Sequence, residues 1–151
     1  MSEPTIGMVE AAYRSLGSGD IDEIAKHYHE DLRWLVPGEH ALAGWYEGRA
    51  AFLELMERVA KLTGDSFTMD RIAVLTGDGF SADLCHNVAV RAGADADATS
   101  PYDRLDVEVF HLIRWRDGRI VEGRDGLFGN DLSAFNQFWS QLTRDGARIP
   151  A

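Results

Sequence analysis

A single cysteine, Cys85, stands among 151 residues, so the chain can close no disulfide within itself and build no multi-thiolate metal cluster. That suits a reducing compartment. Positive charge is scarce as well: 15 Lys and Arg face 25 Asp and Glu, a net charge of -10. Binding to nucleic acid or to anionic lipid needs a surplus of cations, so both are set aside. No apolar run approaches the ~18 residues of a membrane helix. The opening MSEPTIGMVE lacks the basic start and apolar stretch of a signal peptide. A cytoplasmic protein is expected. Internal repeats and low-complexity tracts are missing, the nearest approach being AGADADATSP. What is there is ordinary globular sequence, 45% hydrophobic and 26% charged. The length suits one domain over 1–151, able to bury roughly 68–70% of the surface its unfolded chain exposes.

Apolar spacing and turn residues divide the chain. A helix is expected from about Pro4 to Leu16, ended by the turn at Gly17 and Gly19. A second opens at Asp20, with Glu23 as capping partner and Ile21, Ile24, Ala25 and Tyr28 on one face. LRWLVPG reads as a short strand, GEHALAGWYEG as a loop, and Arg49 to Leu62 as a third helix. Strands follow at 67–75, 80–91, 103–116 and 120–128, the last two joined by a tight Asp117-Gly118 hairpin. Asp131 is placed as the cap of a closing helix with Phe135, Phe138, Trp139 and Leu142 on one side. Helices segregated from a strand meander make the class α+β, with helices covering one face of a curved mixed sheet.

Within that frame one imidazole is out of place. On the strand at 103–116 the odd positions Leu105, Val107, Val109, His111, Ile113 and Trp115 form an apolar face interrupted by histidine. The strand at 80–90 repeats the pattern with Phe80, Ala82, Leu84, His86, Val88 and Val90, which leaves Ser81, Asp83, Cys85 and Asn87 for the other face. Both histidines are thus expected under the helices that carry Tyr13 and Tyr28. An unpaired polar group there costs ~1–3 kcal/mol. Two of them imply either mutual partners or a pocket open to water and ligand, and imidazole suits proton transfer near neutral pH. The plainer reading is a core histidine bonded to backbone or tyrosine. The last strand, IVEGRDGLF, alternates poorly, with Gly123 and Gly126 as candidate bulges. Periodicity therefore leaves open whether Asp125 is an exposed strand-end carboxylate or a pocket group.

Three stretches carry a resemblance: GDIDEIAKHYHEDLRWLVPG, LAGWYEGRAAFLELM and VFHLIRWRDGRIVEGRDGLFGND. Together the chain resembles the SnoaL-like branch of the nuclear transport factor 2-like superfamily, over nearly its whole length. The resemblance implies a cone of curved sheet wrapped by three to four helices, a cystatin-like α+β barrel, usually dimeric through the outer sheet face, with a ligand pocket inside. SnoaL-type polyketide cyclases are most similar at the site. They carry a histidine on the penultimate strand and, fourteen residues on, an aspartate acting as general base; the matching positions are His111 and Asp125. Their reaction is an aldol ring closure that needs no metal or organic cofactor. Limonene-type epoxide hydrolases resemble the chain at Arg124-Asp125, but their second Arg and Asp fall near His86 and Val88. Ketosteroid isomerases place their base on Val36, their tyrosine near Ala12 and Tyr13, and their protonated aspartate near His111. Scytalone dehydratase-like enzymes match only near His86.

The first reading that follows is a cofactor-independent enzyme acting on a small, largely apolar or polyketide-like ligand. Asp125 would be the base, His111 its partner or an oxyanion donor, and His86 a further polar group. Trp34, Tyr13, Tyr46, Arg124 and Val88 would contact substrate, with Trp45 as a further flat wall. The second is a non-catalytic binding domain using the same pocket. Metal binding is not expected: His27 and His29 diverge on a helix end, His40 has only Glu39 nearby, and Asp95 and Asp97 lack the ligand set of a calcium loop. Phe110, Leu112 and Cys85 on an otherwise charged outer face suggest a homodimer.

Overall fold

Thr5 opens α1 (Ile6–Ser18) by accepting a hydrogen bond from the Met8 amide, and Gly19, at φ 69°, closes it in the left-handed conformation. The computed structural model describes residues 3–142, 148 and 149. Asp20 caps α2 (Ile21–Ala25) by accepting from the Asp22 and Glu23 amides. Glu23 does not reach back as a capping partner; its carboxylate pairs with Lys26 instead. The helix is also shorter than its apolar spacing suggests. Tyr28, expected on it, begins β1 (Tyr28–Val36), fully buried and stacked on Phe52.

The stretch read as loop contains β2 (Gly44–Glu47), antiparallel to β1 from Arg33↔Glu47 to Val36↔Gly44. Four residues carry too little periodicity to signal a strand; pairing with β1 makes it one. Then come α3 (Arg49–Leu62), β3 (Thr68–Gly77), β4 (Phe80–Val90), β5 (Arg104–Arg116), β6 (Arg119–Leu127) and α4 (Asp131–Trp139). A short pair closes the order, β7 (Gln141–Leu142) with β8 (Arg148–Ile149). Leu142, expected on the face of α4, thus lies beyond the helix. Nor is Asp131 the cap. Asn130 holds that position, while the Asp131 carboxylate accepts from the Glu108 amide at 3.0 Å and fastens α4 to β5.

Six strands make one curved mixed sheet in the order β2-β1-β6-β5-β4-β3. The expected antiparallel meander is β3 to β6, and β1 joins β6 in parallel. Two of its hairpins turn on Asp-Gly pairs with positive φ, Asp78-Gly79 and Asp117-Gly118. α1, α3 and α4 pack on β3, β1 and β5. Val9, Phe52, Leu55, Phe135 and Phe138 from the helices meet Trp34, Leu105, Val109 and Ile113 from the sheet in one apolar core. The expected α+β architecture is the one that forms. Among the described residues no helix is long and apolar enough to cross a membrane.

Two features of the sheet decide which side chains reach the helix-covered side. Between β5 and β6, Arg114 pairs with Glu122 and Trp115 with Ile120, so Val121 is the extra residue of a bulge. Gly123 and Gly126, the candidate bulges, stay in register with Ile113 and Phe110. The bulge resets the alternation of β6, which is why its sequence reads irregularly. In β4 the phase is opposite to expectation. Ser81, Asp83, Cys85, Asn87 and Ala89 are buried, while Phe80, Ala82, Leu84, His86 and Val88 are half-covered on the outer side.

Candidate active site

The register aligns three ionisable side chains across neighbouring strands. Asp83 of β4 lies opposite His111 of β5, and His111 lies opposite Asp125 of β6. His111 Nδ1 stands 2.8 Å from Asp83 Oδ1, and Nε2 stands 3.6 Å from Asp125 Oδ1. Tyr13 on α1 donates its hydroxyl to Asp83 Oδ2 at 2.6 Å, and Cys85 donates its thiol to Oδ1 at 3.1 Å. On the other side Trp34 Nε1 donates to Asp125 Oδ1 at 2.9 Å. Trp34 can lie there because the residue beneath it is Gly123: a Cβ at that position would clash with the indole ring, 2.2 Å from its nearest atom. Both contacts to Asp125 engage Oδ1, so Oδ2 is the oxygen left to accept from a ligand.

Burial and charge set the protonation states. Burial alone would strip the proton from His111, but the hydrogen bonds to Asp83 and Cys85 and the charges of Asp125 and Asp83 outweigh it and push its pKa up to about 10. His111 is thus an imidazolium at neutral pH, holding Asp83 through Nδ1–H and presenting Nε2–H toward Asp125. Burial also opposes ionisation of Asp83, yet the bond and charge of His111, with the bonds from Tyr13 and Cys85, hold its carboxyl below the ordinary value. Asp125 goes the other way. Burial raises it, the charge of His111 and the Trp34 bond recover only part, and the nearby Asp83 adds to the rise. Burial and the adjoining Asp83 keep the Tyr13 phenol protonated as a donor.

A cavity of about 120 Å³ opens over this array. His111, Asp125, Tyr13 and Asn87 are the polar groups on its wall; the rest is apolar, with Trp34, Phe52, Leu55, Met56 and Val109 among the lining side chains. Asp83 is not on that wall. Its side chain is wholly covered behind His111. The arrangement therefore offers a carboxylate and an imidazolium to a ligand, with a second carboxylate fixing the imidazolium from behind.

Donor atoms of Asp83, Cys85 and His111 also lie within 4.8 Å of one another. The hydrogen bonds account for that proximity. Asp83 Oδ1 already accepts from both neighbours, and burial pushes the Cys85 thiol up, away from the thiolate a metal requires.

Of the residues expected at the site, Asp125, His111, Trp34 and Tyr13 converge on the cavity. His86 does not. It lies on the outer face with a 42% exposed side chain, 2.6 Å from Asp106. Val88 shares that face. Arg124 also points outward, bonded to Glu122 and stacked near Trp45, so no Arg–Asp pair enters the pocket. Tyr46 packs on the core and donates its hydroxyl to the Leu42 carbonyl, outside the cavity wall. Trp45 stacks on the Arg33 guanidinium at 3.7 Å. Cys85, expected on the outer face, is buried on the inner one. Asp83 and Asn87 are the site residues that sequence reasoning missed. The usable signal was there: an alternating run of small polar residues, Ser81-Asp83-Cys85-Asn87, suits a pocket wall as well as it suits a solvent face.

Comparison with known proteins agrees with this fold. Bal32a, from a soil-derived mobile gene cassette, is 28% identical, with 88% of this chain and 94% of Bal32a covered and a TM-score of 0.75. TerC, crystallised with polyporic acid, is 19% identical over 88% of this chain and 95% of its own, TM-score 0.68. A provisionally assigned polyketide cyclase from Sinorhizobium meliloti is 12% identical over 81% of this chain and 95% of its own, TM-score 0.61. No curated protein matches the chain. The SnoaL-like domain family matches residues 9–123, a span that holds most of α1 with Trp34, Asp83 and His111 and ends at the glycine beneath Trp34. The chain belongs to the SnoaL-like domain family.

Proposed function

We propose that this protein is a cofactor-independent enzyme that moves a proton next to the carbonyl of a small, largely apolar ketone, as in aldol-type cyclisation or isomerisation. The observation that carries the reading is the Asp83–His111–Asp125 array, two of whose members open onto an apolar cavity. Asp125, with its raised pKa, is the base: a carboxylate poorly solvated in its charged form accepts a proton more readily than an exposed one. Trp34 holds Oδ1, so Oδ2 abstracts the proton. As the enolate forms, negative charge gathers on the carbonyl oxygen, and His111 Nε2–H is the donor that answers it in water-poor surroundings. Asp83 touches no substrate in this scheme. It is a positioning residue, keeping Nδ1 protonated and the ring turned so that Nε2 faces the cavity. The ring-closure chemistry is that of the polyketide cyclases the chain resembles, and the mostly apolar lining of the cavity supports a polyketide-like ligand.

Deuterium exchange tests the base. In D2O, aryl methyl ketones and 1,3-diketones incubated with the protein should exchange their α-protons faster than buffer allows. Asp125→Asn, folded by circular dichroism, should lose about 10²- to 10⁴-fold of that rate, the usual span for a positioned general base. Undiminished exchange in the variant removes Asp125 from the role. No exchange across the panel in the wild type leaves the cavity as a binding site only.

The outer face of the sheet supports a homodimer as the working assembly. Leu112 and Phe128 are 37% and 63% exposed there, and Phe110 packs edge-on against Phe128.

A further inference from the structure

Asn87 has no role in that scheme, and its setting is unusual. It is only 5% exposed, it lines the cavity, and its Oδ1 has no hydrogen-bond partner. Buried polar side-chain atoms are nearly always bonded. The other described orphans, on Tyr28, Arg33 and Arg91, lie away from the cavity wall, so Asn87 alone has an orphan atom where a ligand can answer it. Its strand neighbours offer nothing. Asn87 pairs with Met69 on one side and Val107 on the other, both apolar.

We propose that Asn87 binds a neutral hydroxyl on the end of the ligand remote from the reacting carbonyl. Placement follows from the register. Asn87 lies four residues along β4 from Asp83, with Cys85 and Val109 forming the rung between them, so the two polar ends of the cavity are about 13 Å apart at the backbone. A ligand held at both ends carries its carbonyl at Asp125 and His111 and its second polar group beyond an apolar middle. The type of group follows from the amide. Carboxamide presents one acceptor and one donor side by side, and a hydroxyl is the smallest group that satisfies both. A carboxylate can only accept, and the one cation on the wall, His111, lies at the reacting end, so none stands beside Asn87 to offset the loss of its hydration. The protein's net charge of -10 further disfavours an anion.

The inference deepens the ketone reading at its reacting end but stands on a separate measurement. Two probes suffice: 2-acetonaphthone and 6-hydroxy-2-acetonaphthone, identical except for the remote hydroxyl. Calorimetric titration of the wild type should find the hydroxylated probe bound about tenfold more tightly or better. In Asn87→Leu, close in size but apolar, that ratio should collapse to about one, whereas Asp125→Asn should keep it. Ligand-free Asn87→Leu should melt at or above the wild-type temperature, because the amide it removes has no partner to lose. Equal affinities in the wild type overturn the proposal, as would a trapped water that already answers the amide. So does a preserved ratio in Asn87→Leu, a drop of several degrees in its melting temperature, or failure of the hydroxylated probe to bind at millimolar concentration. Methyl exchange of the same probes in D2O reads Asp125 independently. Exchange without a hydroxyl preference defeats the role of Asn87 alone, and a preference without exchange defeats the catalytic reading alone.

Discussion

Asp83 and His111 form a buried ion pair whose worth lies in its completeness. Two charges taken out of water stabilise the fold only while each has its partner, and removing one member of such a pair costs about 3–5 kcal/mol. Asp83→Asn should lower stability by an amount in that range in urea titration. It should also shift the pH dependence of α-proton exchange, because His111 loses the acceptor that keeps it charged; a variant with an unchanged pH profile would leave Asp83 a purely structural residue. The pair also predicts how stability varies with pH. His111 binds its proton more tightly folded, with a pKa raised from 6.5 to about 10, so its contribution is full below pH 6.5 and is lost as pH rises toward 10. Asp83, held below 3.8, contributes fully above that value and loses its share as pH falls through its lowered pKa. Asp125, raised by burial, contributes fully below 3.8 and loses that contribution as pH rises from there through its raised folded value. Stability should therefore peak in mildly acidic solution. Chemical unfolding of His111→Asn between pH 6.5 and 10 should show a flatter decline than wild type.

At the scale of elements, one bulge and one glycine place the base. Val121 resets the alternation of β6 so that Asp125 faces inward opposite His111, and Gly123 gives Trp34 room to reach its carboxylate. In Gly123→Ala the added methyl meets the six-membered part of the Trp34 indole, backed by Phe52 at a ring distance of 4.9 Å. Overpacking of this kind costs about 1–3 kcal/mol. The variant should melt lower, shift its tryptophan emission to the red and lose most of its exchange activity. Retention of all three wild-type values would show that Trp34 can hold Asp125 from another rotamer. β4 illustrates the complementary point. Its inner face is spent on hydrogen bonds, Ser81 accepting from Trp115 Nε1 and Asp83 from His111, so its apolar residues are those turned outward.

The outward apolar residues matter to the molecule as a whole. Leu112, Phe128, Ile72 and Leu75 are exposed at 37%, 63%, 55% and 71% on a protein otherwise rich in acidic charge. If the outer face joins two copies, as proposed, Phe128→Lys with Leu112→Glu should halve the mass in analytical ultracentrifugation without changing the circular dichroism spectrum. A wild type that sediments as a monomer at tens of micromolar ends that assignment. His86 and Asp106, paired on the same face, would then simply be solvated side chains.

Local chemistry determined much of this protein. Caps at Thr5 and Asp20, Asp-Gly turns, helical spacing in α1 and α3 and the run of long strands are written in neighbouring residues, and they are enough for an α+β meander under helices. His111 was visible for the same reason, as one polar residue in an apolar alternation. Asp125 could be assigned by resemblance but not by pattern, because a bulge breaks the period on which pattern depends. The inward turn of Asp83 and Asn87, and the outward turn of His86, were decided only by tertiary structure. Strand periodicity tells two faces apart without saying which is inside. That choice was made by the pairing of β4 with β5 across a long loop, which set a carboxylate, not an imidazole, beside His111.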